Sequence, residues 1–153
     1  MTTDIGTMTA ETTLAVEATR PDGFPTVRVL GLDVACMTYE QVLDRVDVLI
    51  ARRQPAYFVT ANLNTCMLHA HDDEVRSVND EADFILADGM PLVWVARLKG
   101  AALPGRVTGA DLTPALCARA ARQGHRVFVL GAEPQVGKAC HVLMVWPETL
   151  GES

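Results

Sequence analysis

The chain has 153 residues, a formal net charge of −6, 49% apolar and 21% charged residues. That length suits one domain with a real core and is scarcely enough for two, and the composition excludes a wholly disordered chain, a collagen-like repeat and a disulfide mini-protein. Eleven arginines and two lysines are scattered along an acidic chain, so the clustered basic surface that nucleic acid requires is absent and no nucleic-acid partner is expected.

No apolar run is long enough to span a bilayer. The start, with Asp4 and Glu11, lacks the basic and apolar regions of a secretory signal. Cys36, Cys66, Cys117 and Cys140 are irregularly spaced with no Cys-x-x-Cys pair, and read as reduced thiols of a cytosolic protein.

Residues 1–25 are rich in Thr, Ala, Glu and Asp, show no period, and read as a flexible leader. From Val27 to Val34 the residues alternate, which predicts a strand pair or one strand bent at Gly31. Thr38-Tyr39-Glu40-Gln41 has the form of a capping box. Val42, Val46, Leu49 and Ile50 then share one helical face. Arg52 and Arg53 favour the helix C-terminus, and Pro55 stops it.

A strand is predicted over Ala56–Thr60, with Asn62 as N-cap of a helix whose buried face is Leu63, Cys66, Met67 and Ala70. A polar helix follows from about Asp73 to Ala82. Phe84–Ala87 has the wholly apolar texture of a parallel strand buried on both faces. Pro91 suits the first turn of a helix through Leu98 that is apolar nearly all round and so is expected to be buried. After a loop over Lys99–Gly109, Thr108 and Asp111 form a capping box for a helix carrying Leu112, Ala115, Leu116 and Ala120, ended by Gly124. Arg126–Leu130 reads as a second buried strand, and Pro134 as the start of a further helix. Strands alternating with helices predict an α/β fold with a mostly parallel sheet.

In such sheets ligands bind at the carboxyl ends of the strands, here at Thr60-Ala61-Asn62, Asp88-Gly89-Met90 and Gly131-Ala132-Glu133. Asp88 is suited to general-base work there, or is a plain N-cap. Arg106 could clamp a diphosphate, or is a solvated loop charge. Thr60 and Asn62 could bond a sugar, or simply cap the strand end.

Other strings carry less. Asp80-Glu81-Ala82-Asp83 spells a helicase motif but falls at a helix end with no phosphate loop upstream. Gly131 to Gly137-Lys138 is spaced one residue too long for a phosphate loop, and Ala139 stands where Ser or Thr would hold magnesium. A backbone contact to a phosphate or nucleotide at that helix start stays open beside an ordinary turn. His69 and His71 do not share a helix face and read as a surface pair. No Asp-x-Asp pair and no Gly-x-Ser-x-Gly elbow occurs.

Taken together, Val59-Thr60-Ala61-Asn62, Ala82 to Pro91, Val93-Trp94-Val95-Ala96-Arg97, Arg106 to Leu112 and Val127 to Gly131 resemble the WecG/TagA/CpsF family of bacterial glycosyltransferases. The resemblance runs from Val27 to Ala139. It implies a Rossmann-like α/β fold, a mostly parallel sheet flanked by helices. It also implies metal-independent, inverting transfer of an N-acetylmannosamine-type sugar, with no cofactor, from a UDP-sugar to a polyprenyl-diphosphate-linked acceptor in cell-surface polysaccharide biosynthesis. On this resemblance Asp88 is the catalytic base, and Thr60, Asn62, Arg106 and Asp111 are substrate-binding.

The implied setting is cytoplasmic, peripheral to the inner face of the plasma membrane, with a homo-oligomer left open. Members of the family usually run further, so the expected division is a leader over 1–25, an incomplete transferase domain over 26–139 and an unrelated tail over 140–153, truncated at the C-terminus. The competing readings are a non-catalytic nucleotide- or sugar-binding remnant of the same half-fold and an unrelated Rossmann-like domain.

Overall fold

The computed structural model describes residues 18–19, 23–130 and 142–146. Strands β1 (Ala18–Thr19), β2 (Pro25–Val29), β3 (Leu32–Ala35), β4 (Phe58–Ala61) and β5 (Phe84–Ala87) form one sheet in the order β1-β2-β3-β5-β4. Its β3-β5-β4 half is parallel, and β1 and β2 extend it antiparallel. The helices are α1 (Tyr39–Ala51), α2 (Leu63–His71), α3 (Asp73–Glu81), α4 (Met90–Leu98) and α5 (Gly109–Gln123). This is the expected Rossmann-like arrangement, a mostly parallel α/β sheet flanked by helices.

The pleat of β5 divides the core. Phe84 and Leu86 turn to one face, where they pack with Val42, Leu43, Val46 and Leu49 of α1 and Leu112 and Leu116 of α5. Ile85 and Ala87 turn to the other, with Cys66 of α2 and Leu92, Val93 and Ala96 of α4. Successive residues of a strand must point to opposite faces, so four consecutive apolar residues require helices on both sides.

Local sequence sets the helix starts. The Thr38 hydroxyl accepts from Gln41 N while the Gln41 side chain accepts from Thr38 N at 2.8 Å, the expected capping box. Asn62 and Thr65 form another at α2. Asp72 caps α3 through Oδ1, which accepts from Glu74 N at 2.9 Å. Gly124 ends α5 with φ at +71°.

The segment from Val27 to Val34 is a hairpin rather than one bent strand. Leu30 and Gly31 both have positive φ, +48° and +93°. Two such residues make the mirror-image turn that matches strand twist. The leader expected over 1–25 overlaps the fold at its end. Ala18 and Thr19 pair with Thr26 and Pro25, and Phe24 is buried against Phe84.

Four further expectations need correction. Arg126–Leu130 is a strand, β6, but it pairs antiparallel with β7 (Val142–Trp146) in a separate sheet, and Phe128 is half-exposed. A short apolar run does not reveal its pairing partner. In α2 only Cys66 of the expected apolar face is buried, joined by His69. His69 is therefore no surface residue: its ring lies under Gly31 and its Nδ1 is 3.4 Å from Asn79 Nδ2. Finally, α4 buries Leu92, Val93 and Ala96 but leaves Met90, Trp94 and Leu98 exposed. The helix expected at Pro134, the Gly131–Lys138 segment, Cys140 and His141 lie outside the described residues.

Candidate active site

β4 and β5 pair in register from Phe58↔Phe84 to Ala61↔Ala87, so both strands end at the same level. Asn62 and Asp88 follow directly, side by side, and Asp88 N donates to Ala61 O at 2.8 Å. The third wall comes from the loop before α5. Val107 N donates to Ala87 O at 2.9 Å, which fixes this loop across the end of β5.

Asp88 does not cap the helix that follows it. The N-cap of α4 is Gly89, and that helix has no side-chain cap. Instead Asp88 Oδ2 accepts from Gly109 N, the first amide of α5, at 3.2 Å. The carboxylate thus sits at the N-terminus of a helix twenty-one residues along the chain. One oxygen is anchored, and the other has no hydrogen-bond partner among the described residues.

Gly109 makes this approach possible. A Cβ there would lie 3.3 Å from Thr60 Oγ1 and 4.0 Å from Asp88 Oδ2. Thr60, Asp88 and Gly109 therefore form one tight cluster. Residue spacing alone assigns no role to Gly109. Its one signal was a glycine placed directly after the capping Thr108, where a glycine has no conformational advantage and so points to close approach.

The other expected site residues divide. Asn62 is exposed beside Gly89, where an added Cβ would lie 4.0 Å from that of Asn62. Its Oδ1 accepts from Thr65 N at 3.1 Å, so capping uses the oxygen and leaves the amide nitrogen as a donor. Arg106 is exposed in the loop one residue before Val107, and its guanidinium makes no hydrogen bond or ion pair among the described residues. Asp111 is drawn into the first turn of α5. Its Oδ2 accepts from the Thr108 hydroxyl at 2.7 Å, and its backbone oxygen accepts from the Tyr39 hydroxyl at 3.0 Å.

Three helix N-termini, those of α2, α4 and α5, meet around Asp88. Each carries partial positive charge on unsatisfied amides, which favours anionic groups. Among the described residues no three His, Cys, Asp or Glu side chains are grouped as metal ligands. The arrangement offers one anchored carboxylate, a hydroxyl and an amide donor at the mouth of a parallel sheet, with Arg106 exposed on the loop that crosses the end of β5.

A relative from Bacillus spizizenii, named N-acetylglucosaminyldiphosphoundecaprenol N-acetyl-beta-D-mannosaminyltransferase, is 37% identical over 81 residues. That match covers 53% of this chain and 32% of the relative, so the chain matches about a third of that protein's length. The family profile described as the glycosyl transferase WecG/TagA/CpsF family matches residues 27–144, more than half of the chain. The chain belongs to the WecG/TagA/CpsF family of glycosyltransferases.

Proposed function

We propose that this chain is a glycosyltransferase that moves an N-acetylmannosamine-type sugar from a UDP-sugar to a polyprenyl-diphosphate-linked sugar. The observation that carries this reading is the anchored Asp88 carboxylate, held by Gly109 N beside Thr60 at the carboxyl ends of β4 and β5. Family membership and the name of the Bacillus spizizenii relative supply the reaction class.

In this mechanism the free oxygen of Asp88 takes the proton of the acceptor hydroxyl as that oxygen attacks the anomeric carbon. The bond from that carbon to the UDP oxygen breaks on the opposite face, so one displacement inverts the centre. Asp111, whose Oδ2 accepts from the Thr108 hydroxyl, leaves Asp88 as the carboxylate in position to act as base. Arg106 and the converging helix N-termini offset the charge that develops on the departing diphosphate. Thr60 and the Asn62 amide orient sugar hydroxyls. We infer a metal-independent reaction at the cytoplasmic face of the membrane, in which Arg106 and the helix N-termini take the place of a metal ion at the leaving group.

The test is UDP release by the purified chain over a panel of UDP-sugars and lipid-linked acceptors, with and without EDTA. Release that needs both substrates, favours an N-acetylmannosamine donor and survives EDTA is the expected result. Release restored only by magnesium or manganese would overturn the metal-independent mechanism.

A further inference from the structure

Gly109 N holds Asp88 Oδ2, and two tethers set where that amide stands. One lies two residues before it, where Val107 N donates to Ala87 O at 2.9 Å. The other lies two residues after it, where Asp111 O accepts from the Tyr39 hydroxyl at 3.0 Å. The first ties the amide to β5, the strand that leads into Asp88. The second ties it to α1, seventy-two residues away along the chain.

Between the tethers the chain is stiff. The Thr108 hydroxyl donates to Asp111 Oδ2 at 2.7 Å, and its oxygen accepts from Asp111 N at 3.1 Å, so residues 108–111 are clasped into one piece. The Thr113 hydroxyl donates to Gly109 O at 2.8 Å. Behind that piece the helix is weaker. Pro114 stands inside α5 and has no N–H, so the Ala110 carbonyl receives no bond from the next turn. The first turn of α5 is therefore held one rung short from behind, and Tyr39 supplies a bond from outside.

Tyr39 is the first residue of α1, directly after the Thr38 cap. Its ring packs against the core that contains Leu112 and Leu116 of α5, and its polar tip reaches the Asp111 carbonyl. Farther along the same helix pair, Arg119 bridges Asp44 and Asp47 at 2.9 and 2.6 Å. That link is about 12 Å past Asp111 along the helix at ~1.5 Å per residue. α1 thus grips α5 at two places, and only the Tyr39 grip lies at the candidate active site.

We propose that Tyr39 is a positioning residue for the proposed reaction: its hydroxyl, through the Asp111 carbonyl, sets Gly109 N and thereby the orientation of the Asp88 carboxylate. This rests on the reading of Asp88 as the base. Tyr39 acts on the base and not on binding, so its loss should slow the chemical step and leave affinity alone.

The experiment compares Tyr39→Phe, which removes the hydroxyl and keeps the ring, with Arg119→Gln, which breaks the remote link. UDP release and hydrogen exchange at the Gly109 amide, read by NMR, are measured for both. In Tyr39→Phe kcat should fall about 10–100-fold, the scale of a displaced catalytic group. KM for donor and acceptor should stay within about twofold. Exchange at Gly109 should rise about tenfold or more. Arg119→Gln should lower the melting temperature at least as much and change neither reading. In an Asp88→Asn background, Tyr39→Phe should cost no further turnover, because the base it orients is gone.

An unchanged kcat in Tyr39→Phe would overturn the proposal. So would a rise in KM alone, unchanged exchange at Gly109, or an equal loss of turnover in the Asp88→Asn background. The same changes in Arg119→Gln would overturn it too, since they would assign the effect to the docking of α5 in general. A parent chain without turnover, or with turnover untouched by Asp88→Asn, would count against the reading of Asp88 as base. Faster exchange at Gly109 in Tyr39→Phe would then still support the hold of Tyr39 on that amide.

Discussion

The anchored oxygen of Asp88 sets what a substitution there should do. Asn can still accept from Gly109 N, so Asp88→Asn should hold the loop and shift stability by less than about 1 kcal/mol. It cannot take a proton, so turnover should fall by about 10²–10⁴-fold. UDP release measured beside a thermal melt separates the two, and unchanged turnover would remove Asp88 from the mechanism. Cys66 makes a second residue-level case. Burial pushes its thiol above the usual range, so the folded state favours the neutral form. The unfolded thiol titrates first, near about pH 8.5. Stability from this group is therefore full below that pH and is lost as the pH rises toward the folded value. The drop in melting temperature between pH 8 and pH 10 should shrink in Cys66→Ala. An identical drop in both proteins would show that Cys66 is not its source.

At the scale of elements, the hairpin between β2 and β3 joins a poor residue and a necessary one. Leu30 holds a left-handed conformation that costs an L-residue about 1–2 kcal/mol, whereas Asn tolerates it. Leu30→Asn should raise stability by about 0.5–1 kcal/mol. Gly31→Ala should do the opposite, since its Cβ would meet His69 Cδ2 at 3.3 Å on a backbone with φ of +93°. Chemical denaturation of both variants tests this, and a destabilised Leu30→Asn would contradict it. The same element shows what a sequence can carry. Thr38 with Gln41, Asn62 as a cap, and Gly124 as a stop act within one helical turn, so their residues alone announce them. The burial of His69 depends on Gly31 of a distant turn and on Asn79 of the next helix. Spacing could not foresee it. Likewise Asp88 was legible as a strand-end carboxylate, but its partner Gly109 was not, because the contact is made only when α5 docks across β5.

Among the described residues two cores lie back to back on the five-stranded sheet, and β5 belongs to both. Its four apolar residues announced a strand covered on both faces, and that much of the architecture was legible. Which side of the all-apolar α4 would meet the sheet was not, because every face of that helix offers similar residues and only the docked geometry selects Leu92, Val93 and Ala96. The pairing of β6 was hidden for a related reason, since register and partner depend on a strand elsewhere in the chain. The two outcomes give opposite expectations for apolar truncation. Phe84 is fully buried, stacks on Phe58 with ring centres 4.8 Å apart and meets Phe24 edge-on. Phe84→Ala should cost about 3–5 kcal/mol through lost transfer energy and the cavity left behind. A domain of this size has only about 5–15 kcal/mol in all, so that variant should be close to unfolding. Leu98 is equally apolar but exposed, and Leu98→Ala should stay within about 0.5 kcal/mol. Urea midpoints of the two variants decide the matter. Comparable shifts at both positions would mean that α4 is packed against something on its outer face, and a small shift at Phe84 would mean that the sheet is not the common wall of both cores.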